Sequence, residues 1–282
     1  MNFYMKQSNL LRVLIAVAGA FIFLSPGGAQ AQSGTDRVAV DLTDPSRPAL
    51  VKAHLLNGGI TVKGTDGKQV VVEAKVRNRE SAKSEGNMKR IPINTTGLSV
   101  EEENNQVDIK SDALNRTVDL SITVPRHTSL VLRCINDGDI VVSDVDGELD
   151  VNDINGAVTL NNIGGSAIAH ALNGRILVTF NRIDQKPMSF SSMNGNIDVT
   201  FPAALKANVS FQSDRGEVYS DFDVQLQQSS PQQVTEEGHA SKGKYRVKID
   251  KSVRGTVNGG GPEIQFKNFN GNIYVRKAGS PK

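Results

Sequence analysis

The chain has 282 residues, 38% of them hydrophobic, and its 32 Lys and Arg nearly balance 30 Asp and Glu, for a formal net charge of +2. So even a balance sets up no field that would draw nucleic acid or an anionic membrane surface, and neither is expected as a partner. The single cysteine, Cys134, excludes a disulfide framework and leaves packing and backbone hydrogen bonds to hold the fold.

Residues 1–31 read as an export signal. Lys6 and Arg12 supply the positive start, Leu10 to Leu24 the apolar run, and Ala29-Gln30-Ala31 a small-residue cleavage site. An uncleaved anchor is the competing reading, but Ser25-Pro26-Gly27-Gly28 breaks a helix just before that site. No cysteine stands at the cleavage point, so a lipoprotein-type anchor is not indicated. Losing Lys6 and Arg12 leaves 30 basic and 30 acidic side chains in a mature domain over 32–282. That domain is expected in the periplasm, on the outer surface or outside the cell, with no membrane span.

Strand-like runs follow in order: "DRVAVDL" from Asp36, "QVVVEAKV" from Gln69, "LSVEEENNQVDIKS" from Leu98 and "TVDLSITVP" from Thr117. Two patternless polar stretches, 77–90 and 225–244, are expected as exposed excursions. No segment of the mature chain has a helical period.

Between Asp137 and Arg175 a repeat takes over. Gly138, Gly147, Gly156, Gly165 and Gly174 stand nine apart, and Gly195 and Gly216 follow at steps of 21. The template is apolar, Asn or Asp, Gly, any, apolar, any, apolar. It is met at Asn57-Gly58, Asn155-Gly156, Asn173-Gly174, Asn194-Gly195 and Asn270-Gly271, with partial matches at Gly138, Gly147, Gly165 and Gly216. An Asn-Gly or Asp-Gly pair tolerates the positive φ of a tight corner, and the alternation after it describes a short half-buried strand. One such unit buries too little to order itself, so units must stack. The expected fold is all-β: a single-chain β-solenoid, or β-helix, of short strands with Asn-Gly corners, taken as right-handed although spacing alone does not set the hand. The corner residues Asn57, Gly58, Gly138, Gly147, Asn155, Gly156, Asn173, Gly174, Asn194, Gly195, Asn270 and Gly271 are its structural turns, with Asp137, Asn155, Asn173 and Asn194 expected in one amide ladder. A hairpin meander is the alternative, but it has less reason to keep a fixed phase of nine. A longer echo, residues 123–144 against 200–221, suggests internal duplication.

The stretch 120–160, "LSITVPRHTSLVLRCINDGDIVVSDVDGELDVNDINGAVTL", and the closing "GTVNGGGPEIQFKNFNGNIYVRK" resemble the bacterial putative-adhesin family of β-strand repeats, a domain of unknown function. The resemblance covers roughly 50–276. It implies a β-helix-like exported envelope domain, with adhesion proposed for the family, and brings no catalytic residues to carry over.

The chemistry-bearing residues point away from catalysis. Calcium-binding β-rolls place an Asp two residues after a repeat glycine, where this chain has Ile140, Leu149, Val158, Ala167 and Ile176. Asp137, Asp139, Asp144, Asp146, Asp150 and Asp153 could hold one ion between corners, but capping solvent-facing turns is their simpler role. His54, His127, His170 and His239 lack metal-ligand spacing, and "NGGGPE" at 258–263 lacks the Lys-Ser/Thr of a phosphate loop. No cofactor or metal is expected. The outward positions three after each glycine, Thr61, Val141, Asp150, Thr159, Ile168, Leu177, Asp198, Tyr219 and Tyr274, offer no convergent acid and base. The reading is a non-enzymatic interaction or adhesin-like module for an unknown surface polymer or envelope protein. Its alternatives are a polysaccharide-binding or -processing enzyme on the same scaffold and a periplasmic envelope-stress signalling component.

Overall fold

The computed structural model describes residues 35–77, 95–113, 115–227 and 252–280. The chain separates into Met1–Gln32 and Ser33–Lys282, and only the second unit contains described residues. The expected export signal and most of both expected polar excursions therefore lie outside them. The second excursion starts later than expected, because Val224–Leu226 forms a strand that pairs with Val253–Val257.

All regular structure among the described residues is β: 20 strands, hydrogen-bonded into one continuous sheet that folds over into two faces. The first face stacks β6 (Gln106–Ser111), β2 (Ala49–Asn57), β8 (Thr128–Asn136), β10 (Asp146–Asp153), the second half of β11 (Val158–Ala171), β13 (Met188–Asn194), β19 (Glu263–Asn270) and β15 (Ala207–Ser213). The second face stacks β7 (Val118–Pro125), β3 (Ile60–Thr65), β9 (Ile140–Ser143), the first half of β11, β12 (Ile176–Ile183), β14 (Ile197–Phe201), β20 (Ile273–Lys277) and β16 (Val218–Ser220). These ladders are all parallel, as a stacked coil requires and a hairpin meander forbids. Antiparallel ladders occur only at the two ends. At one, β4 (Gln69–Val76) pairs with β7, β1 (Thr35–Asp41) with β4, and β5 (Leu98–Glu103) with β6. At the other, β18 (Val253–Val257) pairs with β15 and β17 (Val224–Leu226) with β18.

The order of rungs is not the order of the chain. From β7 the chain skips one rung to β8, and the gap holds β2 and β3. From β14 it skips again to β15, and that gap holds β19 and β20. Both skips fall in the two duplicated stretches, at Pro125 and Pro202. A proline has no N–H to give a neighbouring rung, so the ladder can break there. The N-terminal and C-terminal rungs are thus each clamped between rungs from elsewhere in the chain.

Strand alternation sends Val51, Ala53 and Leu55, and across the coil Ile60 and Val62, into a common interior. Ile140, Leu149, Val158, Ala167 and Ile176 are all buried there. Toward the C-terminal end the filling becomes aromatic: Phe190 stacks on Phe266 at 5.4 Å and Phe266 on Phe211 at 5.2 Å. Such stacks fit the interior because parallel rungs repeat at about 4.8 Å.

Candidate interaction surface

The corner between the faces is built on close approach rather than on unusual φ angles. Among the template glycines only Gly58 (φ 129°), Gly271 (φ 143°) and Gly165 (φ 106°), the last inside β11, take a positive φ. A Cβ on Gly156 would lie 2.1 Å from the Gly138 carbonyl oxygen, and one on Gly174 1.9 Å from that of Gly156. Glycine is required because backbone packs on backbone from rung to rung. Asp137, beside Gly138, itself takes a left-handed φ of 64°. Gly147 is not a turn: it stands inside β10 opposite Gly165 of β11, with a would-be Cβ 2.4 Å from the Thr128 carbonyl oxygen. A nine-residue phase alternates between the two sides of an 18-residue coil, and on that other side the chain bends within strands.

Corner backbone turned inward needs partners, and an interior column of small polar side chains supplies them. The Cys134 thiol donates to the Gly58 carbonyl (2.8 Å), the Ser192 hydroxyl to that of Gly174 (2.9 Å), and Asn268 Nδ2 to that of Gly195 (2.8 Å). Asp153 Oδ1 accepts the Gly156 N–H at 2.8 Å, while its Oδ2 has no partner. Burial pushes the Cys134 thiol up to about 12 and the Asp153 carboxyl up to about 6. Both are sealed inside the coil, where neither can meet a substrate.

Outside the corner run two parallel rows. The first is amide: Asn136 Nδ2 donates to Asn57 Oδ1 (3.3 Å), Asn155 to Asn136 (2.8 Å), Asn173 to Asn155 (2.9 Å) and Asn194 to Asn173 (2.9 Å). Asn136 takes the rung expected for Asp137, because the corner after β8 holds one extra residue, Asp137 itself, before Ile140 comes into register with Val158. Asn270 pairs in register with Asn194. The second row is apolar. Leu56, Ile135, Ile154, Leu172, Met193 and Phe269 each precede the corner asparagine and point outward from consecutive rungs. Leu56, Ile135, Met193 and Phe269 are exposed, Met193 by 45%. Six rungs at about 4.8 Å make a ridge roughly 24 Å long. The alternation carried the signal for it, since Leu55 inside places Leu56 outside.

The outward row read from the glycines divides between faces: Asp150 and Ile168 lie on the first, and Thr61, Val141, Thr159, Leu177, Asp198, Tyr274 and Tyr219 on the second. Its acids are neutralised by bases. Arg133 reaches Asp150 at 2.5 Å and Arg276 reaches Asp198 at 2.8 Å, while Arg77 holds Asp119 and Arg182 holds Asp146. Asp139 caps the Ala157 N–H and Asp144 accepts from Asn162. The six aspartates are thus spread over separate partners, and no three His, Cys, Asp or Glu side chains among the described residues form a metal-binding group. His54 lies beside Arg133 and Lys110, and burial together with these cations lowers its pKa. His170 Nδ1 lies 2.5 Å from Ser191 Oγ. The glycine run at 258–261 is the turn between β18 and β19, with Asn258, Gly259 and Gly260 all at positive φ.

Fold and surface together define a parallel β-stack that displays repeated rows on a rigid frame. The Toastrack DUF4097 family matches this sequence over residues 36–258, and the chain belongs to that family. No curated protein matches it. Two solved structures are similar. A putative cell adhesion protein from Clostridium sporogenes has 9% identity and a TM-score of 0.37, over 86% of this chain and 99% of that one. A putative adhesin from Bacteroides fragilis has 14% identity and a TM-score of 0.38, over 86% and 96%.

Proposed function

We propose that this protein is an exported, non-enzymatic interaction module of a bacterial envelope, adhesin-like in action, built on a right-handed coil. The observation that carries the reading is the corner ridge from Leu56 to Phe269 beside its asparagine ladder. Contacts that are weak on one rung recur on the next, so a repetitive surface polymer is held by many at once. The frame is already ordered, so little conformational entropy is lost on binding. Asp150 and Asp198 of the outward row are held in ion pairs and the carboxyl with the raised pKa is sealed inside, so among the described residues that row offers no free acid and base pair for glycoside cleavage.

Location is the test. Intact cells expressing an epitope-tagged chain are treated with protease. Digestion before the outer barrier is opened is the expected result. Protection until the envelope is breached would place the protein in the periplasm and overturn the adhesin-like reading.

A further inference from the structure

The sequence contains six Asn-Gly pairs, at Asn57, Asn155, Asn173, Asn194, Asn258 and Asn270, all of them among the described residues. This dipeptide loses its side-chain amide readily, because glycine puts no side chain in the way when its backbone nitrogen closes on the Asn Cγ. The reaction requires the amide to rotate freely. A hydrogen bond that holds the amide must break first, so each one slows the conversion.

Five of the six amides are held. Asn57 Oδ1 accepts from Asn136, and Asn155, Asn173 and Asn194 are bonded along the ladder. Asn258 Nδ2 donates to the Leu205 carbonyl at 2.7 Å. At two corners the nucleophile is held as well: the Gly58 N–H donates to the Asn136 carbonyl and the Gly156 N–H to Asp153 Oδ1, both at 2.8 Å. Asn270 is different. It is exposed and in register with Asn194, but among the described residues its side chain makes no hydrogen bond. The row has no further amide to offer it. Counting on from the Asn268 and Ser213 pair, the chain after β15 brings Arg215 to the next rung, and that guanidinium lies over the Phe269 ring at 5.3 Å.

We propose that the amide ladder protects its own corners from deamidation, and that Asn270, outside it, is the site at which the folded protein converts spontaneously to aspartate and isoaspartate. Hydroxide removes the Gly271 amide proton, and the nitrogen attacks Asn270 Cγ. The bond from Cγ to Nδ2 breaks, ammonia leaves, and a five-membered succinimide remains. Water then opens the ring at either carbonyl, so that amide plus water has become carboxylate plus ammonium. The product puts a negative charge at the end of a neutral row, and the isoaspartate form also lengthens the backbone by one carbon before Gly271. The inference rests on the corner geometry and stands independently of the function proposed above.

The test holds the whole purified protein at pH 8, digests samples at mildly acidic pH and follows each Asn-Gly peptide by mass spectrometry. Asn270 should convert about tenfold or more faster than Asn155, Asn173 or Asn194, since each of those must first break at least one bond. In urea the six sites should convert at similar rates. Asn173→Ala removes the acceptor of Asn194, so Asn194 should speed up toward the rate of Asn270 while Asn258, held elsewhere, stays as it was. Native conversion of Asn270 no faster than that of the ladder asparagines overturns the proposal. So does a site order that persists unchanged in urea, which would trace it to sequence alone, or an Asn194 rate indifferent to Asn173→Ala.

Discussion

Asp153→Asn tests whether the corner carries a buried charge at neutral pH. The side chain is fully buried, Oδ1 holds the Gly156 N–H and Oδ2 has no partner. Its pKa rises from 3.8 to about 6, and at 1.36 kcal/mol per unit the ionised form costs the folded state about 3 kcal/mol. The folded carboxyl keeps its proton to higher pH than the unfolded one. Its contribution to stability is therefore complete below 3.8 and is lost as pH rises through about 6. Asparagine keeps the acceptor for Gly156 and cannot ionise. In thermal melts followed by circular dichroism from pH 4 to pH 8, the variant should match the wild type at the acid end. It should then gain about 3 kcal/mol at the other, or roughly 6 to 12 °C for a domain of this size. Two curves that stay parallel across the range would refute a buried, titrating carboxylate. Comparing the two proteins cancels the titration of every group they share.

Three further outcomes check the architecture. Gly174→Ala places a Cβ 1.9 Å from the Gly156 carbonyl oxygen and should cost at least about 3 kcal/mol, whereas Asn173→Ala removes exposed ladder bonds and should cost about 1 kcal/mol, both read by urea unfolding. Val158→Asp buries an unpaired charge in the interior and should yield no cooperative melt; a soluble variant melting normally would refute the inward placement. Cys134, with its thiol held near 12 and bonded inside to Gly58, should resist iodoacetamide at pH 8 in the native protein and react fully in urea; rapid native labelling would show that the corner opens.

The phase of nine was legible because the interior demands it. Ile140, Val158 and Ile176 recur where an 18-residue coil returns to the same wall, and that local periodicity is enough to predict parallel stacking. The glycines were legible as positions and only partly in cause: positive φ holds at Gly58 and Gly271, whereas at Gly138, Gly156, Gly174 and Gly195 approach of a neighbouring rung is the reason. Spacing cannot distinguish the two, because the atom that forbids a Cβ on Gly174 belongs to a residue 18 positions earlier. The corner ridge was within reach of parity alone, from the inward Val51, Ala53 and Leu55.

By itself, then, the sequence determined the all-β class, the stacked repeat, the inward columns and the absence of a disulfide framework, because each follows from residue type and short-range period. Only the tertiary structure decided the order of the rungs. Nothing local places β2 between β6 and β8, or β19 between β13 and β15, since those choices are made by strand pairing across 50 or more residues. It also decided where an inward column ends exposed among the described residues. Val218 reads like Ile176 in sequence, and differs only because no described strand follows β16 in space.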